Sequence, residues 1–205
     1  MENGTVYVVD DIEANRALIV MLMTTVDLPT VSLASAQEFL DVYKPGQPAC
    51  LLLDMRMPGM SGLELQRQLT EQGVYIPIIF ITAHNDSYIA VQAMKAGAFD
   101  FVEKPFNNQL VLDIVYNALA ESRRIIAEQN ELNSIKTLIN CLTPREREVF
   151  EMIVDGQPNK VIAHLLSISE RTVEVHRSHV MEKMETSSLA TLIKMAMRCA
   201  IGKNP

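Results

Sequence analysis

The chain has 205 residues, 48% of them hydrophobic and 21% charged, with 8 Gly and 9 Pro. That excludes a disordered, collagenous or low-complexity protein and leaves room for one large domain or two small ones. The net charge of −7 is uneven, at net −8 over residues 1–120 and net +1 over 121–205, which points to two jobs on one chain. The 3 cysteines, Cys50, Cys141 and Cys199, are odd in number and far apart, with no CxxC pair, which argues against a disulfide framework or a zinc site and reads as reduced thiols in the cytoplasm.

The opening MENGTVYVVDD has no basic flank before its short apolar run, so a signal peptide is not expected. No uncharged apolar stretch reaches the roughly 18 residues of a membrane span. Apolar runs at 6–9, 30–33, 50–53, 76–81 and 98–102 alternate with segments of helical period. Continuous apolar strands of this kind suit a parallel sheet covered on both faces, and the helical segments supply the crossovers. The expected fold is a doubly wound α/β domain, (βα)5. In such sheets ligands bind beyond the carboxyl ends of the strands.

Each strand there runs into polar residues: Asp10 and Asp11 after the first, Asp54 after the third, Thr82 after the fourth and Lys104 past the fifth. Three carboxylates, a hydroxyl and an ammonium are expected to converge. Packing like charges so closely calls for a cation, and Mg²⁺ accepts one or two carboxylates plus waters. Asp is also a competent nucleophile toward a phosphoryl group when a metal and a Lys neutralise its oxygens, and Asp54 is the choice for that role. Taken singly, Asp11 or Thr82 could instead cap the helix that follows, and Pro58, Gly59 and Gly62 could be turn punctuation.

The strings DD, LLLDMRMPGMSG, FITAH and FDFVEKPF resemble a CheY-like two-component receiver domain over about the first 120 residues, with no expected residue missing. The resemblance implies Asp54 as phosphoacceptor and a Mg²⁺ site formed by Asp10, Asp11, Asp54 and the backbone carbonyl of Arg56. It implies that Thr82 and Lys104 bind the phosphoryl oxygens, that a cis bond precedes Pro105, and that Phe101 occupies an aromatic switch position. From its own pattern Phe101 reads as simple core. Arg56 and His84 flank the pocket and receive no role from their side chains.

Beyond Asn107, the positions Leu110, Ile114, Ala118 and Leu119 recur at helical spacing, and no Gly or Pro stands between Phe106 and Leu142. A stiff helical connector over 121–141 follows, with a solvated face or, alternatively, a short dimer-forming coil. Thr143, Pro144 and Glu146 give an N-cap, an N1 proline and a capping carboxylate for a helix reaching about Val154. A helix over 159–166, a turn over 167–169 and a longer helix over 170–184 then make a helix-turn-helix, which places its second helix in the major groove, before a last helical segment over 187–199.

The string LTPREREVF…G…NKVIAHLLSISERTVEVHRSHVMEKM resembles the LuxR-type DNA-binding domain, with the closest similarity to the FixJ branch of the FixJ/NarL response regulators. Ile162, Leu165, Ile168, Val173, Val180 and Met184 have core spacing. Arg171, Thr172, Glu174, Val175, Arg177, Ser178 and His179 form the face that can reach DNA, with Lys160 and Thr172 suited to phosphates. Many relatives carry Lys where this chain has Glu174, and the helix is nearly charge-balanced, so its non-specific DNA affinity should be weak. His176 and His179 read as buried or phosphate-contacting histidines rather than a metal pair.

The two resemblances together imply a phosphorylation-dependent transcriptional regulator rather than an enzyme. The expected partners are a sensor histidine kinase, double-stranded DNA, RNA polymerase and a second copy of the chain. The competing expectations are a DNA-binding regulator that is never phosphorylated and a phosphotransfer protein whose C-terminal helices bind a protein partner.

Overall fold

A computed structural model describes residues 4–83, 87–199 and 201. The chain divides into two compact units, residues 1–127 and 128–205. In the first, β1 (Thr5–Val9), β2 (Thr30–Leu33), β3 (Ala49–Asp54), β4 (Ile78–Ala83) and β5 (Asp100–Lys104) form a parallel sheet in the order β2-β1-β3-β4-β5. The crossovers are α1 (Glu13–Thr24), α2 (Ala36–Val42), α3 (Gly62–Glu71) and α4 (Ser87–Lys95), and α5 (Asn108–Asn140) follows β5.

Alternation along the strands fills both faces. Val6, Val8, Cys50, Leu52, Ile79 and Ile81 pack with Ile19 and Met23 of α1 and with Val111, Val115 and Leu119 of α5. Val9, Leu51, Leu53 and Phe80 pack on the other face with Phe39 of α2 and Leu65 and Leu69 of α3. This two-sided burial is why β3 is apolar throughout until Asp54. Strand order reverses between β1 and β3, so the crevice lies at the ends of those two strands.

Several expectations shift. Strands four and five begin at Ile78 and Asp100, because Pro77 brings no N–H to a ladder and the chain before Asp100 closes the end of α4, Ala98 N–H donating to the Ala93 carbonyl. Leu110 is exposed, since the phase of α5 buries Val111, Leu112, Ile114, Val115, Ala118 and Leu119 instead. Phe101 is 38% exposed and therefore not simple core: β5 is an edge strand, and its buried neighbour Val102 faces the other side of the sheet. Asp11 does not cap α1; Ile12 occupies the N-cap, and Asp10 Oδ1 accepts the Ile12 N–H at 2.8 Å. The Lys104–Pro105 peptide is cis.

In the second unit the last turns of α5 pack with α6 (Pro144–Val154), α7 (Asn159–Leu166), α8 (Glu170–Lys183) and α9 (Leu189–Arg198) around Val149, Phe150, Ile162, Val173, Val180, Met184, Leu192 and Ala196. Thr143 and Glu146 make the capping box, with Pro144 at the start of α6. Ser167 turns the chain at φ 54°, and Ser169 caps α8 by accepting the Thr172 N–H. Leu165, expected in the core, is 58% exposed; Ile162 and Ala163 carry the buried face of this short helix. Glu146 is buried, and one of its oxygens accepts both the Thr143 N–H at 2.8 Å and Lys183 Nζ at 2.6 Å. His179 Nδ1 lies 3.7 Å from the other. Among the described residues no helix is long and apolar enough to cross a membrane.

Two predictions follow from this packing. A Cβ on Gly62 would stand 2.5 Å from the Asp54 carbonyl oxygen and 3.0 Å from the Phe80 ring. Gly62→Ala is therefore expected to destabilise the first unit by about 1–3 kcal/mol, read as a lower urea midpoint at unchanged slope; a wild-type midpoint would show that the loop relaxes freely. Glu146 is held down to about 2, against an ordinary value of 4.5, first by the Lys183 hydrogen bond and then by the Thr143 N–H. A depressed folded value means the stabilisation is complete above pH 4.5 and is lost as pH falls through about 2. Urea titrations followed through the amide signals of Val149 and Val180 should show that loss in the wild type and a flatter dependence over the same window in Glu146→Gln.

Candidate functional site

The crevice at the strand ends is organised around Lys104, the last residue of β5. Its Nζ donates to Asp10 Oδ2 at 2.8 Å and to Asp54 Oδ1 at 2.9 Å, tying the ends of β1, β3 and β5 together. The register explains the meeting: Val9 pairs with Leu53, Asp54 with Ile81, and Ala83 with Lys104, so the three strands finish at nearly one level.

Asp10 is fully buried, and each of its oxygens accepts two donors: Ile12 N–H and Asn15 Nδ2 on Oδ1, Asn15 Nδ2 and Lys104 Nζ on Oδ2. Arg16 donates to the Asp10 backbone carbonyl at 2.7 Å. Asp54 is more open. Lys104 binds Oδ1, and the Arg56 backbone N–H donates to Oδ2 at 2.9 Å. One donor on each oxygen leaves a lone pair on each for other chemistry among the described residues.

Burial pushes the Asp54 carboxyl above its usual range, against the pull of Lys104 and the Arg56 N–H. For Lys104 desolvation lowers the value, but its bonds to Asp10 and Asp54 outweigh this and the net direction is upward. Lys104 is therefore a cation at neutral pH, placed where negative charge on a group attached to Asp54 would develop.

Of the three carboxylates expected to converge, Asp10 and Asp54 do so; Asp11 is exposed. Among the described residues no three His, Cys, Asp or Glu side chains gather into a metal cluster. Mg²⁺ needs only one or two carboxylates with its own waters, so the hard oxygens of Asp54, and of Asp11 next to Asp10 in the chain, still suit it. Thr82 is 1% exposed and sits opposite Glu103, while Phe101 sits opposite Phe80, so Thr82 and Phe101 share one face of the sheet. His84 lies outside the described residues.

In the second unit α8 exposes Arg171, Glu174, Val175, Ser178 and His179, with Thr172 and Arg177 half-buried; Lys160 is exposed on α7. His176 is half-buried. Thr172 is engaged by Ser169 through both its N–H and its hydroxyl. Two features escaped the sequence pattern. Asn15 was invisible because an Asn in the first turn of a helix has no distinctive spacing from the strand before it. The grip of Glu146 on Lys183 was hidden behind the local signature of a capping box, although an acid and a lysine 37 residues apart gave no cue of their own.

Comparison with known proteins agrees with both halves. The family described as response regulator receiver domain matches residues 6–116, and that described as bacterial regulatory proteins, luxR family, matches residues 140–196. Nodulation protein W of Bradyrhizobium diazoefficiens is 41% identical over 199 residues, covering 97% of this chain and 88% of that protein. The transcriptional regulatory protein FixJ of Rhizobium meliloti is 41% identical over 202 residues, covering 98% and 99%. Among solved structures, the response regulator StyR aligns with a TM-score of 0.84 at 41% identity, covering 95% of this chain and 98% of that one. Full-length FixJ from B. japonicum aligns at 0.60 and 36%, covering 98% of each. With a lysine-bridged acidic crevice in one half and a helix-turn-helix in the other, the chain belongs to the two-component response regulators, transcriptional regulators that join a receiver to a LuxR-type DNA-binding domain.

Proposed function

We propose that Asp54 is the phosphoacceptor and that its phosphorylation by a sensor histidine kinase controls pairing of the chain and its binding to DNA. The bridge from Lys104 to Asp54 and Asp10 carries this reading, because it sets a fixed cation against a carboxylate that keeps a lone pair on each oxygen. An Asp54 oxygen attacks phosphorus, the bond from phosphorus to the kinase's imidazole nitrogen breaks, and the released imidazole takes up a proton. Lys104 and the Thr82 hydroxyl hold the transferred oxygens. When bound by Asp11, Asp54 and the Arg56 carbonyl, with Asp10 as the supporting acid, Mg²⁺ supplies further neutralisation of the phosphoryl charge.

The added group brings about −1.5 to −2 charges and strong acceptors to the ends of β3 and β4. Thr82 moves toward it, and Phe101, now 38% exposed on the same face, turns into the space. Val91 and Met94 of α4 are exposed beside β5, and this apolar surface is where a second copy pairs. Two copies present two α8 helices to a pseudo-palindromic site. There Glu174 accepts from cytosine, Arg177 donates to guanine or phosphate, Val175 meets a thymine methyl, and Lys160, Arg171, Thr172, Ser178 and His179 complete the contact face. The functional boundaries are a receiver over 1–120, a helical linker over 121–141 and the DNA-binding domain over 142–205. RNA polymerase is the downstream partner, and the cytoplasm is where kinase and DNA are both reached.

Intact mass and light scattering with acetyl phosphate and Mg²⁺ test the first half: an adduct and a dimer are expected in the wild type and neither in Asp54→Asn. Dimers persisting unchanged in that variant would sink the coupling, and a wild type that takes no phosphoryl group would favour a phosphate-independent regulator. For the second half, Arg177→Ala should weaken binding to a selected operator by about 1–3 kcal/mol, measured by fluorescence anisotropy at fixed salt. Undiminished binding would remove α8 from the DNA contact.

A further inference from the structure

Gln66 of α3 is 3% exposed, so both ends of its amide require partners. Its Nε2 donates to the Ala93 carbonyl at 3.2 Å and to the Ala96 carbonyl at 3.2 Å, both at the C-terminal end of α4. Two facing carbonyl oxygens settle which end of the amide is nitrogen. Its Oε1 is buried and takes no donor among the described residues.

The end of α4 does not require this amide. The Ala93 carbonyl already accepts the Ala98 N–H at 3.0 Å and the Ala96 N–H at 3.1 Å, and Gly97, at φ 91°, turns the chain toward β5. Ala96 is exposed, where water serves its carbonyl as well. An apolar side chain at position 66 would strand no oxygen. What the amide adds is a tie from α3 to α4. That helix joins β4, which carries Thr82, to β5, which carries Phe101. The exposed Val91 and Met94 stand on either side of the fully buried Ala93 in sequence, so a restraint on Ala93 and Ala96 restrains them too. The tie coexists with Phe101 turned outward, and it belongs to the arrangement from which the proposed switch departs.

We propose that Gln66 is a positioning residue for the pairing surface: by tying the C-terminal end of α4 to α3, it holds Val91 and Met94 in the arrangement that does not pair. This rests on the reading that phosphorylation of Asp54 controls pairing through α4 and β5. The tie makes displacement of that helix end unfavourable, so pairing waits for the phosphoryl group. The stranded Oε1 keeps the tie weak enough for a local event at Thr82 and Phe101 to overcome it. Without the amide the two arrangements lie closer in free energy; pairing rises before phosphorylation, and phosphorylation adds less to it.

The test uses the full chain as wild type, Gln66→Leu and Gln66→Met, each removing the donors and the stranded oxygen while retaining a good helix former of similar size. Hydrogen exchange at the amides of Ala96, Gly97 and Ala98 reads the tie itself and should quicken in both variants on the order of tenfold. Analytical ultracentrifugation gives the dimer Kd without a phosphodonor and with acetyl phosphate and Mg²⁺. Both variants should pair severalfold more tightly than the wild type without the donor and gain less when it is added. Phe39→Leu, in a fully buried position of α2 at the opposite edge of the sheet, should lower the thermal midpoint and leave the dimer Kd at the wild-type value. Where the wild type pairs on phosphorylation, unchanged exchange in the Gln66 variants, pairing no tighter than wild type, or equal tightening in Phe39→Leu overturns the proposal and leaves the pairing reading standing. A wild type that forms the adduct and stays monomeric overturns the pairing reading, and this proposal with it.

Discussion

An ammonium held between two carboxylates is the constraint on which the first unit's chemistry depends. Asp10 and Asp54 stand at the ends of neighbouring strands, where mutual repulsion and burial both oppose two negative charges. Lys104, brought from the end of the opposite edge strand, offsets both. Its reach of 94 residues to Asp10 and 50 to Asp54 exists only because the sheet order carries β5 to the edge while the register keeps the three strand ends level. A one-residue slip in β5 would send Lys104 to the other face and leave the acids without it. Fold and site are in this sense one requirement.

The same constraint divides labour between the acids. Asp10 is saturated and buried, so it serves as a fixed anchor; Asp54 is partly open, with one donor per oxygen, so it keeps the capacity to react. Residue type does not distinguish two aspartates at strand ends. The difference comes from what surrounds each one: Asn15 and the Ile12 N–H on one side, the turn at Arg56 on the other.

How much of this was legible in the sequence follows from which interactions are local. Strand runs and helix starts are set by period and capping, so the five strands, the box of Thr143 and Glu146 and the α6 end at Val154 could be read directly. The convergence of Asp10, Asp54 and Lys104 was legible because the doubly wound fold assigns all strand ends to one side. Exposure was not. Leu110, Leu165 and Phe101 are apolar, but each sits at a helix phase or sheet edge with too little of the molecule over it, and period alone does not say where a covering element stops. Asn15 on Asp10 and Lys183 on Glu146 depend on side chains meeting across elements, which no local pattern encodes.

The tie between Glu146 and Lys183 also changes the charge that α8 can offer to DNA. Lys183 is held at 2.6 Å by a buried carboxylate on α6, so its charge is largely spent within the unit. The remaining basic groups of the helix, Arg171 and Arg177, stand against exposed Glu170, Glu174 and Glu182. On the proposed reading, counterion release at this helix therefore contributes little, and its affinity rests mainly on contacts to particular bases. Weak general attraction makes occupancy depend steeply on joining two such domains, because the second contact becomes intramolecular once the first is made. On the proposed reading, a modest shift in pairing at the receiver then produces a large shift at the operator. A more basic recognition helix would blunt this by holding DNA before any signal arrived.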